Sequence, residues 1–322
     1  MEVNNVLVLG GAGYIGSHTV KHLKDKGHNP VVADNLVYGH KKAVPLDVPF
    51  EQADLTDRGQ LDELFNKYKF SAVIHFAAFA YVGESVKEPA KYYRNNVTGT
   101  LNLLDAMLAS GVKDIVFSST CATYGEPEYT PIDEKHPQNP INPYGRSKLM
   151  IEKILADYER AYGLNWIALR YFNAAGAGVN MGESHEPETH LIPLVFRAIM
   201  TGTPLNVYGT DYDTPDGTCI RDYIHVNDLA SAHRLALEKL SGFSGAINLG
   251  TGIGSSVKEV IKISEQISGK TCPVNYSGRR AGDPARLFAA NKKAKEIIGW
   301  VPEYGIKEII ASAWEWEQNR KY

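Results

Sequence analysis

Residues 6–16 read Val-Leu-Val-Leu-Gly-Gly-Ala-Gly-Tyr-Ile-Gly, a short apolar run followed at once by a glycine-rich turn. Apolar residues then continue at helical spacing as far as Gly27. A strand, a glycine-rich turn and a helix in this order are the context in which a G-x-G-x-x-G motif binds a dinucleotide. Gly11, Gly13 and Gly16 match that spacing, and the absence of side chains lets backbone amides approach a pyrophosphate at the helix N-terminus. The stretch predicts a Rossmann-type unit, with a simple packed turn as the alternative.

An acidic residue follows the second apolar run. The predicted strand Pro30–Ala33 ends at Asp34, where a Rossmann unit carries the carboxylate that accepts hydrogen bonds from an adenosine ribose. Because this carboxylate would repel a 2′-phosphate, NAD is favoured over NADP. Without the glycine turn, Asp34 would be explained as a turn residue at a strand end.

Strand and helix patterns alternate along the first half of the chain. Further strands are predicted at Phe50–Asp54, Ala72–Ala78, Val112–Phe117 and Ile167–Tyr171, and helices at Gln60–Tyr68, Glu88–Ser110 and from Asn142–Lys148 to Tyr162. Such alternation predicts an α/β protein with a Rossmann-type, doubly wound parallel sheet. We expect Ile167–Tyr171 to close the sheet and ligands to bind at the carboxyl ends of its strands.

The composition changes after Phe172. Residues Asn173–Glu188 are rich in Gly, Ala, His and Glu and lack an apolar period, which places a hinge there. We expect residues 1–175 to form the NAD-binding domain and residues 176–322 a smaller C-terminal α/β substrate domain, with exchange of chain between the two allowed. In the second half, helices are predicted at Leu191–Met200, Asn227–Lys239, Ser256–Ile267, Lys292–Ile298 and Ile306–Glu317, and extended segments at Asn206–Tyr208 and Ala246–Leu249.

Tyr144 and Lys148 lie four residues apart near the start of a predicted helix, so their side chains are neighbours on its surface. A tyrosine acting as a base near pH 7 needs its anion favoured by roughly 3 pKa units, or about 4 kcal/mol. One positive charge at ~4 Å supplies about that much at an effective dielectric constant of ~20. We therefore expect Lys148 to lower the pKa of Tyr144. Because Tyr-x-x-x-Lys also occurs by chance, the surrounding residues must decide its role.

Composition excludes several classes of partner. The 322 residues are 43% hydrophobic and 22% charged with a net charge of −3, and no basic stripe suggests a nucleic acid or an anionic membrane. No apolar run approaches the ~18 residues of a membrane span, and the start lacks the pattern of a signal peptide. Cys121, Cys219 and Cys272 are odd in number and widely spaced, which suits a reducing cytoplasm. The ten histidines show no paired ligand spacing, so we predict no metal.

Charged and aromatic residues of the second half lie beside turn signals, at Tyr208-Gly209, Arg221–His225 and Arg279–Asp283. Arginines on loops commonly anchor a diphosphate and a tyrosine can stack on a base. Taken singly, each is more often a surface charge or a core aromatic.

Two further motifs, Val82–Ser85 and Arg170–Asn173, lie between the glycine turn and Arg221–His225. The order of these motifs along the chain is that of a known superfamily. The chain resembles the extended short-chain dehydrogenase/reductases over nearly its whole length. The glycine turn and the Tyr144/Lys148 pair are common to that superfamily, whereas Val-Gly-Glu-Ser, Arg-Tyr-Phe-Asn and Arg-Asp-Tyr-Ile-His resemble its sugar-nucleotide 4-epimerases.

The resemblance implies site residues by their positions in these motifs. Thr120, Tyr144 and Lys148 would be catalytic, with Tyr144 as the base and Lys148 also holding the nicotinamide ribose. Tightly held NAD would be bound by Gly10, Gly13, Tyr14, Ile15, Gly16, Asp34, Asn35, Asp54, Leu55, Phe76, Ala77, Ala78, Asn95, Tyr144, Lys148 and Tyr171. A UDP-sugar would be bound by Thr120, Tyr144, Asn173, His190, Leu191, Asn206, Tyr208, Arg221, Arg280, Asp283 and Leu287.

The implied activity is that of an isomerase of galactose metabolism, which interconverts UDP-galactose and UDP-glucose by transient oxidation at C4. The resemblance also implies a homodimer that pairs Glu88–Ser110 with Tyr144–Tyr162 in a four-helix bundle, and the cysteines place the protein in the cytoplasm. The chain departs from some members at Ala80, where they carry a lysine, and at Leu287, where they carry a tyrosine that closes the sugar pocket. The second departure keeps open a UDP-N-acetylglucosamine 4-epimerase or an enzyme of dual specificity.

Three other functions compete with epimerisation. A sugar-nucleotide 4,6-dehydratase commonly has an Asp-Glu pair after the threonine, where this chain has Cys121-Ala122. A simple dehydrogenase would release reduced cofactor, which the sugar-nucleotide motifs disfavour. A non-catalytic NAD-binding sensor has no reason to retain both Tyr144 and Lys148.

Overall fold

The apolar run at the start of the chain is a central strand of a parallel sheet in the computed structural model, which describes residues 5–280 and 282–322. The strands are β1 (Asn5–Leu9), β2 (Asn29–Asp34), β3 (Phe50–Gln52), β4 (Phe70–His75), β5 (Asp114–Thr120), β6 (Asn165–Tyr171), β7 (Asn173–Ala175), β8 (Leu205–Tyr208), β9 (Ile220–Arg221), β10 (Tyr223–His225), β11 (Gly245–Leu249), β12 (Ser255–Ser256), β13 (Val274–Ser277) and β14 (Arg286–Leu287). The helices are α1 (Tyr14–Asp25), α2 (Arg58–Lys67), α3 (Val82–Lys87), α4 (Pro89–Tyr92), α5 (Gly99–Ala109), α6 (Pro143–Tyr162), α7 (Leu191–Thr201), α8 (Val226–Leu237), α9 (Val257–Ser268), α10 (Lys292–Ile298) and α11 (Ile306–Gln318).

Seven of these strands form the main sheet in the order β11-β6-β5-β4-β1-β2-β3, and every neighbouring pair is parallel. From β1 the chain adds strands first on one side and then, from β4 onward, on the other. The predicted doubly wound sheet is confirmed. The reversal opens a crevice at the carboxyl ends of β1 and β4, which is where ligands bind in sheets of this kind.

The strands are apolar on both faces because helices cover both sides of the sheet. Successive side chains point to opposite faces, so Val6 and Val8 belong to one core and Leu7 and Leu9 to the other. All four are buried. This is the pattern of an internal parallel strand.

The expectation that β6 closes the sheet is wrong. β11 pairs in parallel with β6, Gly245 opposite Ile167 and Leu249 opposite Tyr171, and α8 packs beside α1. Ala246–Leu249 was predicted as extended. Local sequence does not specify which strand it pairs with, because β6 is distant in the chain. The division at residue 175 stays a proposal, and the second half supplies one strand and one covering helix to the main sheet.

Other differences concern the ends of elements. The helix predicted over Glu88–Ser110 is divided into α4, a π-helical segment at Tyr93–Thr98 and α5. The third strand ends at Gln52, before Asp54, and β4 ends at His75, before the small residues that line the crevice. Periodicity locates these elements, but hydrogen bonding sets their ends.

The rest of the second half forms three small sheets, β12-β9-β14, β10-β7 and β13-β8. Helices α7, α9 and α11 form a third core with strands β7, β8, β10 and β13. No helix within the two described ranges is both long enough and apolar enough to cross a membrane.

A buried ion pair fixes α6 against the sheet. The Arg170 guanidinium of β6 donates to both carboxylate oxygens of Glu152 on α6, with its Nε 2.9 Å from Oε1, and both side chains are at most 6% exposed. Ser119 of β5 donates to the same carboxylate, and Arg170 also donates to the Tyr124 hydroxyl. A network of this kind strongly penalises the loss of one member, because the other charge is then buried without a partner.

We expect Glu152→Gln to lower the free energy of unfolding by about 3–5 kcal/mol, because it leaves the Arg170 charge uncompensated. Urea denaturation measures this change. Asp157→Asn is the matched control: it removes an exposed partner of Arg160 from the same helix and should change stability little. Equal effects of the two changes would contradict the role of the buried pair.

Candidate active site

The carboxyl ends of the main-sheet strands open into a cavity of about 540 Å³, lined by both halves of the chain. Most of the predicted site residues line it: Gly10, Gly13, Tyr14, Ile15, Gly16, Asp34, Asn35, Leu55, Phe76, Ala77, Ala78, Asn95, Thr120, Tyr144, Lys148, Tyr171, Asn173, His190, Arg221, Arg280, Asp283 and Leu287. The structure therefore brings the proposed cofactor and substrate residues into one cavity.

The glycine turn is built for close approach of backbone. Gly10 has a φ of +81°, and a Cβ there would lie 2.5 Å from the Ala77 amide nitrogen. A Cβ on Gly16 would lie 2.2 Å from the Gly10 carbonyl oxygen. Helix α1 begins after Gly13 with no side-chain cap and no acidic residue in its first turn, so its first amides remain available to an anion. These residues fit the pyrophosphate of NAD.

Asp34 occupies the end of β2 as predicted. Its carboxylate accepts hydrogen bonds from the amides of Ala12 at 3.0 Å and Leu36 at 2.8 Å. Burial raises the pKa of this carboxyl, while the two amides oppose the rise. The side chain is thus held rigidly at the cavity wall, in a position to accept ribose hydroxyls.

Asp54 is a predicted cofactor residue that does not line the cavity. Its carboxylate accepts from the Asn35 amide group at 2.9 Å and from the Thr56 backbone and hydroxyl. Burial opposes ionisation of Asp54, but these hydrogen bonds hold its pKa below the ordinary value. Its observed contact is with Asn35, which lines the wall itself.

Local sequence places Tyr144 at the start of α6. The Asn142 side chain accepts from the Gly145 amide at 2.8 Å, and Pro143 occupies the first turn. A Cβ on Gly145 would lie 2.3 Å from the Ala122 carbonyl oxygen, so glycine lets the helix approach the loop after β5. That approach brings Tyr144 to the same wall as Thr120.

The predicted effect of Lys148 on Tyr144 is absent from the protein alone. Burial raises the pKa of Tyr144, and the Thr120 hydroxyl opposes this only in part. The Lys148 ammonium instead donates to the Ser118 carbonyl at 2.7 Å and lies 4.8 Å from the Phe117 ring centre. Burial lowers the pKa of Lys148 to about 7, against the opposing charge of Glu152. Helical spacing made the two residues neighbours, but it could not show where the long lysine chain points or that its own charge is desolvated.

Another part of the cavity wall carries a cluster of charges. Arg221 donates to the Pro284 carbonyl at 2.8 Å and lies 3.5 Å from an oxygen of Asp283. Arg280 also donates to Asp283, with its Nε 2.9 Å from Oδ2. Two guanidinium groups around one carboxylate leave a net positive charge on this wall, which suits a diphosphate.

Three predicted substrate residues lie outside the lining of the cavity: Leu191, Asn206 and Tyr208. Asn206 and Tyr208 are exposed on the same face of β8, and the Tyr208 ring lies 5.6 Å from the Arg280 guanidinium. Their roles stay predictions.

Some lining residues were missed from the sequence. Tyr38 and Tyr81 pack edge to face, with ring centres 5.3 Å apart, beside the cavity. Glu183 and His185 reach the wall from the loop before α7. This loop carries a signal in its sequence, the spacing Glu-x-His-x-x-Glu-x-His at 183–190, which the spacing of histidines alone does not reveal.

The sequence also matches known proteins over its whole length. Residues 6–250 match the model of the NAD dependent epimerase/dehydratase family. The chain belongs to this family. The predicted resemblance and the predicted need for NAD are thereby confirmed.

Individual members of the NAD dependent epimerase/dehydratase family are close in sequence and structure. The chain is 53% identical to the UDP-glucose 4-epimerase of Rhizobium leguminosarum bv. trifolii, over 98% of each chain. It is 54% identical to a UDP-glucose 4-epimerase from Brucella ovis solved in complex with NAD, with a TM-score of 0.94 and coverage of 97% and 98%. It is 43% identical to the UDP-Glc/GlcNAc 4-epimerase of Campylobacter jejuni, with a TM-score of 0.87 and coverage of 98% and 99%.

The lowered pKa of Lys148 predicts a pH-dependent cost. Below about pH 7 the folded chain buries a charged ammonium, which Lys148→Met removes. We therefore expect this change to raise the free energy of unfolding of cofactor-stripped protein most at pH 7 and below. The gain should shrink as pH rises towards ~10.4, where the unfolded lysine also loses its proton.

Urea denaturation at several pH values measures this gain, with Lys153→Met on the exposed side of α6 as the control. A gain that does not vary between pH 6.5 and 9.5 would contradict the desolvation of Lys148.

Proposed function

We propose that this protein is a UDP-glucose 4-epimerase that interconverts UDP-galactose and UDP-glucose through transient oxidation at C4. The observation that carries the proposal is the convergence of Thr120, Tyr144 and Lys148 with the glycine turn in one cavity. Full-length identity to UDP-glucose 4-epimerases supports the substrate class.

Tyr144 is the proposed base. It lines the cavity at the wall that holds Thr120, so its phenolate would take the proton of the C4 hydroxyl with the Thr120 hydroxyl sharing or relaying it. The same phenol then returns the proton after the sugar has turned over. The reaction thus ends at the oxidation level at which it began.

NAD supplies the acceptor and donor of the C4 hydrogen when it is bound. Lys148 has a preformed position for holding the cofactor ribose, because the Ser118 carbonyl fixes its ammonium and Tyr171 shares a hydrogen bond with the Ser118 hydroxyl. With a pKa of about 7, Lys148 changes its protonation state readily near neutral pH.

The protein must bind the UDP end of the substrate firmly and the hexose end weakly. Arg221 and Arg280 would hold the UDP diphosphate firmly at the charged wall. The hexose must rotate about its diphosphate link, and Leu287 on β14 offers it an apolar contact without a hydrogen bond. Strong anchoring of UDP and weak contacts to the sugar are what a change of reacting face requires.

Retention of the cofactor is a further requirement. Tyr14, the first residue of α1, donates to the Gly176 carbonyl at 2.6 Å, and His18 accepts from the Gly178 amide at 3.0 Å. These bonds tie the glycine turn to the loop that follows β7. They support a cofactor that stays bound between the two half-reactions.

A dehydratase of the same family is the principal rival. It would need acid and base groups after Thr120, where Cys121 stands. Burial raises the pKa of the Cys121 thiol to about 12, so this side chain is a poor proton donor or acceptor near pH 7. The simple dehydrogenase and the sensor gain no support from the geometry.

We also propose that the enzyme acts in the cytoplasm as a homodimer. Cys121, Cys219 and Cys272 are all free thiols, which suits a reducing compartment. Met150 and Tyr162 expose apolar surface on α6, the helix that would pair with the α4–α5 segment of a second copy. Gel filtration with light scattering tests the dimer.

The purified protein should convert UDP-galactose to UDP-glucose without added cofactor and without net NADH. Tyr144→Phe should retain NAD and the fold but lower the rate about 100-fold or more, because the base is lost. An enzyme-coupled assay of UDP-glucose measures the rate, and acid release measures bound NAD.

The control for this change is Tyr276→Phe, which removes an exposed hydroxyl from β13. Protein that holds NAD but gives no conversion would refute the proposed function. An unchanged rate in Tyr144→Phe would remove this residue from the mechanism.

A UDP-hexose 4-epimerase of dual specificity is the second candidate, favoured by Leu287 at the cavity wall. If leucine leaves room for an N-acetyl group, the protein should also convert UDP-N-acetylglucosamine. Leu287→Tyr should then reduce that conversion about tenfold or more relative to UDP-galactose, because the larger ring fills the space.

A substrate panel with Leu287→Met as the volume-matched control tests this prediction. Turnover of only the plain hexose by the unaltered protein would contradict a relaxed pocket.

A further inference from the structure

Four potential metal ligands meet in the loop between β7 and α7. Glu183, His185, Glu188 and His190 each offer one donor atom, and all four donors lie within 4.8 Å of one another. All four residues come from only eight positions of the chain, 183–190. This cluster does not take part in the proposed chemistry at C4.

The distances between donor atoms of the cluster suit a small ion. The Nδ1 atom of His190 lies 2.7 Å from Glu183 Oε1 and 3.0 Å from Glu188 Oε1. The Nδ1 atom of His185 lies 3.1 Å from Glu183 Oε1 and 3.9 Å from Glu188 Oε2. Tetrahedral zinc with bonds of ~2.0–2.1 Å separates its ligand atoms by about 3.4 Å. This separation lies between the shortest and longest of the histidine-to-glutamate distances, 2.7 Å and 3.9 Å.

Glu188 provides an independent indication of a ligand. Its side chain is only 2% exposed, and Oε1 accepts from the backbone amides of Thr189 and His190. Its Oε2 atom is buried and has no hydrogen-bond partner within the described part of the chain. A buried carboxylate oxygen without a partner is costly. The 3.9 Å from this atom to His185 Nδ1 is too long for a hydrogen bond, but an ion can bridge it.

We propose that Glu183, His185, Glu188 and His190 bind one divalent transition-metal ion, with Zn²⁺ as the best fit. Two imidazole nitrogens favour zinc over magnesium or calcium, which prefer oxygen ligands. Two carboxylates and two neutral imidazoles also balance the double positive charge. This proposal departs from the prediction of no metal that was based on histidine spacing, and it does not depend on the proposed epimerase activity.

The position of the cluster suggests what the ion would do. Glu183, His185 and His190 line the cavity, and the ring centres of His185 and Tyr14 are 6.2 Å apart. The ion would fix the conformation of the loop before α7, whose His185 ring lies beside Tyr14 at the glycine turn. Coordination through Nδ1 leaves Nε2 of His190 available to a sugar nucleotide. The role is positioning of the wall, since none of the four residues takes part in the proposed proton transfer by Tyr144.

A metal-free cluster is the competing explanation. The negative charges of Glu183 and Glu188 raise the pKa of His190 in spite of burial, so two imidazolium–carboxylate pairs would also balance the charge. Such pairs need no ion, and they leave Glu188 Oε2 unsatisfied. The two explanations differ in whether the folded protein retains metal.

The test measures metal on the full-length protein with its cofactor bound. The protein is treated with a chelator, supplied with Zn²⁺, freed of excess by gel filtration and analysed by plasma mass spectrometry. We expect one zinc per chain, a higher Tm than that of the chelated protein, and visible absorption of tetrahedral Co²⁺ when cobalt replaces zinc. His185→Gln and Glu188→Gln should each lose the stoichiometric metal and the cobalt spectrum.

The matched control is His28→Gln, a surface histidine that pairs with Glu238 outside the cluster, and it should keep one zinc per chain. Circular dichroism shows whether each variant folds. If one of His185→Gln and Glu188→Gln fails to fold, the zinc content of the other one decides whether the cluster binds the metal. Failure of the unaltered protein to retain zinc would overturn the proposal. Equal zinc in both cluster variants and the unaltered protein would mean an adventitious ion only and would also overturn it.

Discussion

The buried ion pair between Glu152 and Arg170 is the interaction on which the catalytic geometry depends. It fixes α6 to β6, and through Ser119 it also fixes the helix to β5. Arg170 extends the network to Tyr124, whose hydroxyl donates to Asn248 on β11 at 2.6 Å. Helix α6, which carries Tyr144, is thus tied to three strands of the main sheet, one of them from the second half of the chain. Because Lys148 lies one turn before Glu152, the position of the pair sets the position of the lysine.

The same burial sets the electrostatic condition for activity. Burial raises the pKa of Tyr144 and lowers that of Lys148 to about 7, so in the protein alone the phenol is neutral near pH 7 and the lysine is only partly charged. Removing the C4 proton therefore requires an added positive charge near the phenol, and oxidised NAD is the component that carries one. The cavity would keep the base inactive until the cofactor is in place. This ordering suits an enzyme that must not release its cofactor between two half-reactions.

Sequence alone was sufficient for those parts of the molecule that depend on local pattern. The glycine turn, Asp34 at a strand end and the start of α6 just before Tyr144 all follow from residue type and short spacing, and all lie where they were expected. Contacts between distant segments were not accessible in the same way. The pairing of β11 with β6, the direction of the Lys148 side chain and the displacement of Asp54 from the cavity each depend on packing that no local period encodes. The Glu/His cluster had a visible spacing, but its meaning depends on a loop conformation.

The central claim is that C4 is oxidised and reduced within one closed site. UDP-galactose that carries deuterium at C4 can be mixed with UDP-galactose that carries ¹³C in the hexose, and the UDP-glucose formed can be analysed by mass spectrometry. The account predicts that deuterium remains at C4 of the molecule in which it began, with no loss to water and no transfer to the ¹³C-labelled product. Deuterium in the ¹³C-labelled UDP-glucose, or its replacement by solvent hydrogen, would contradict the account.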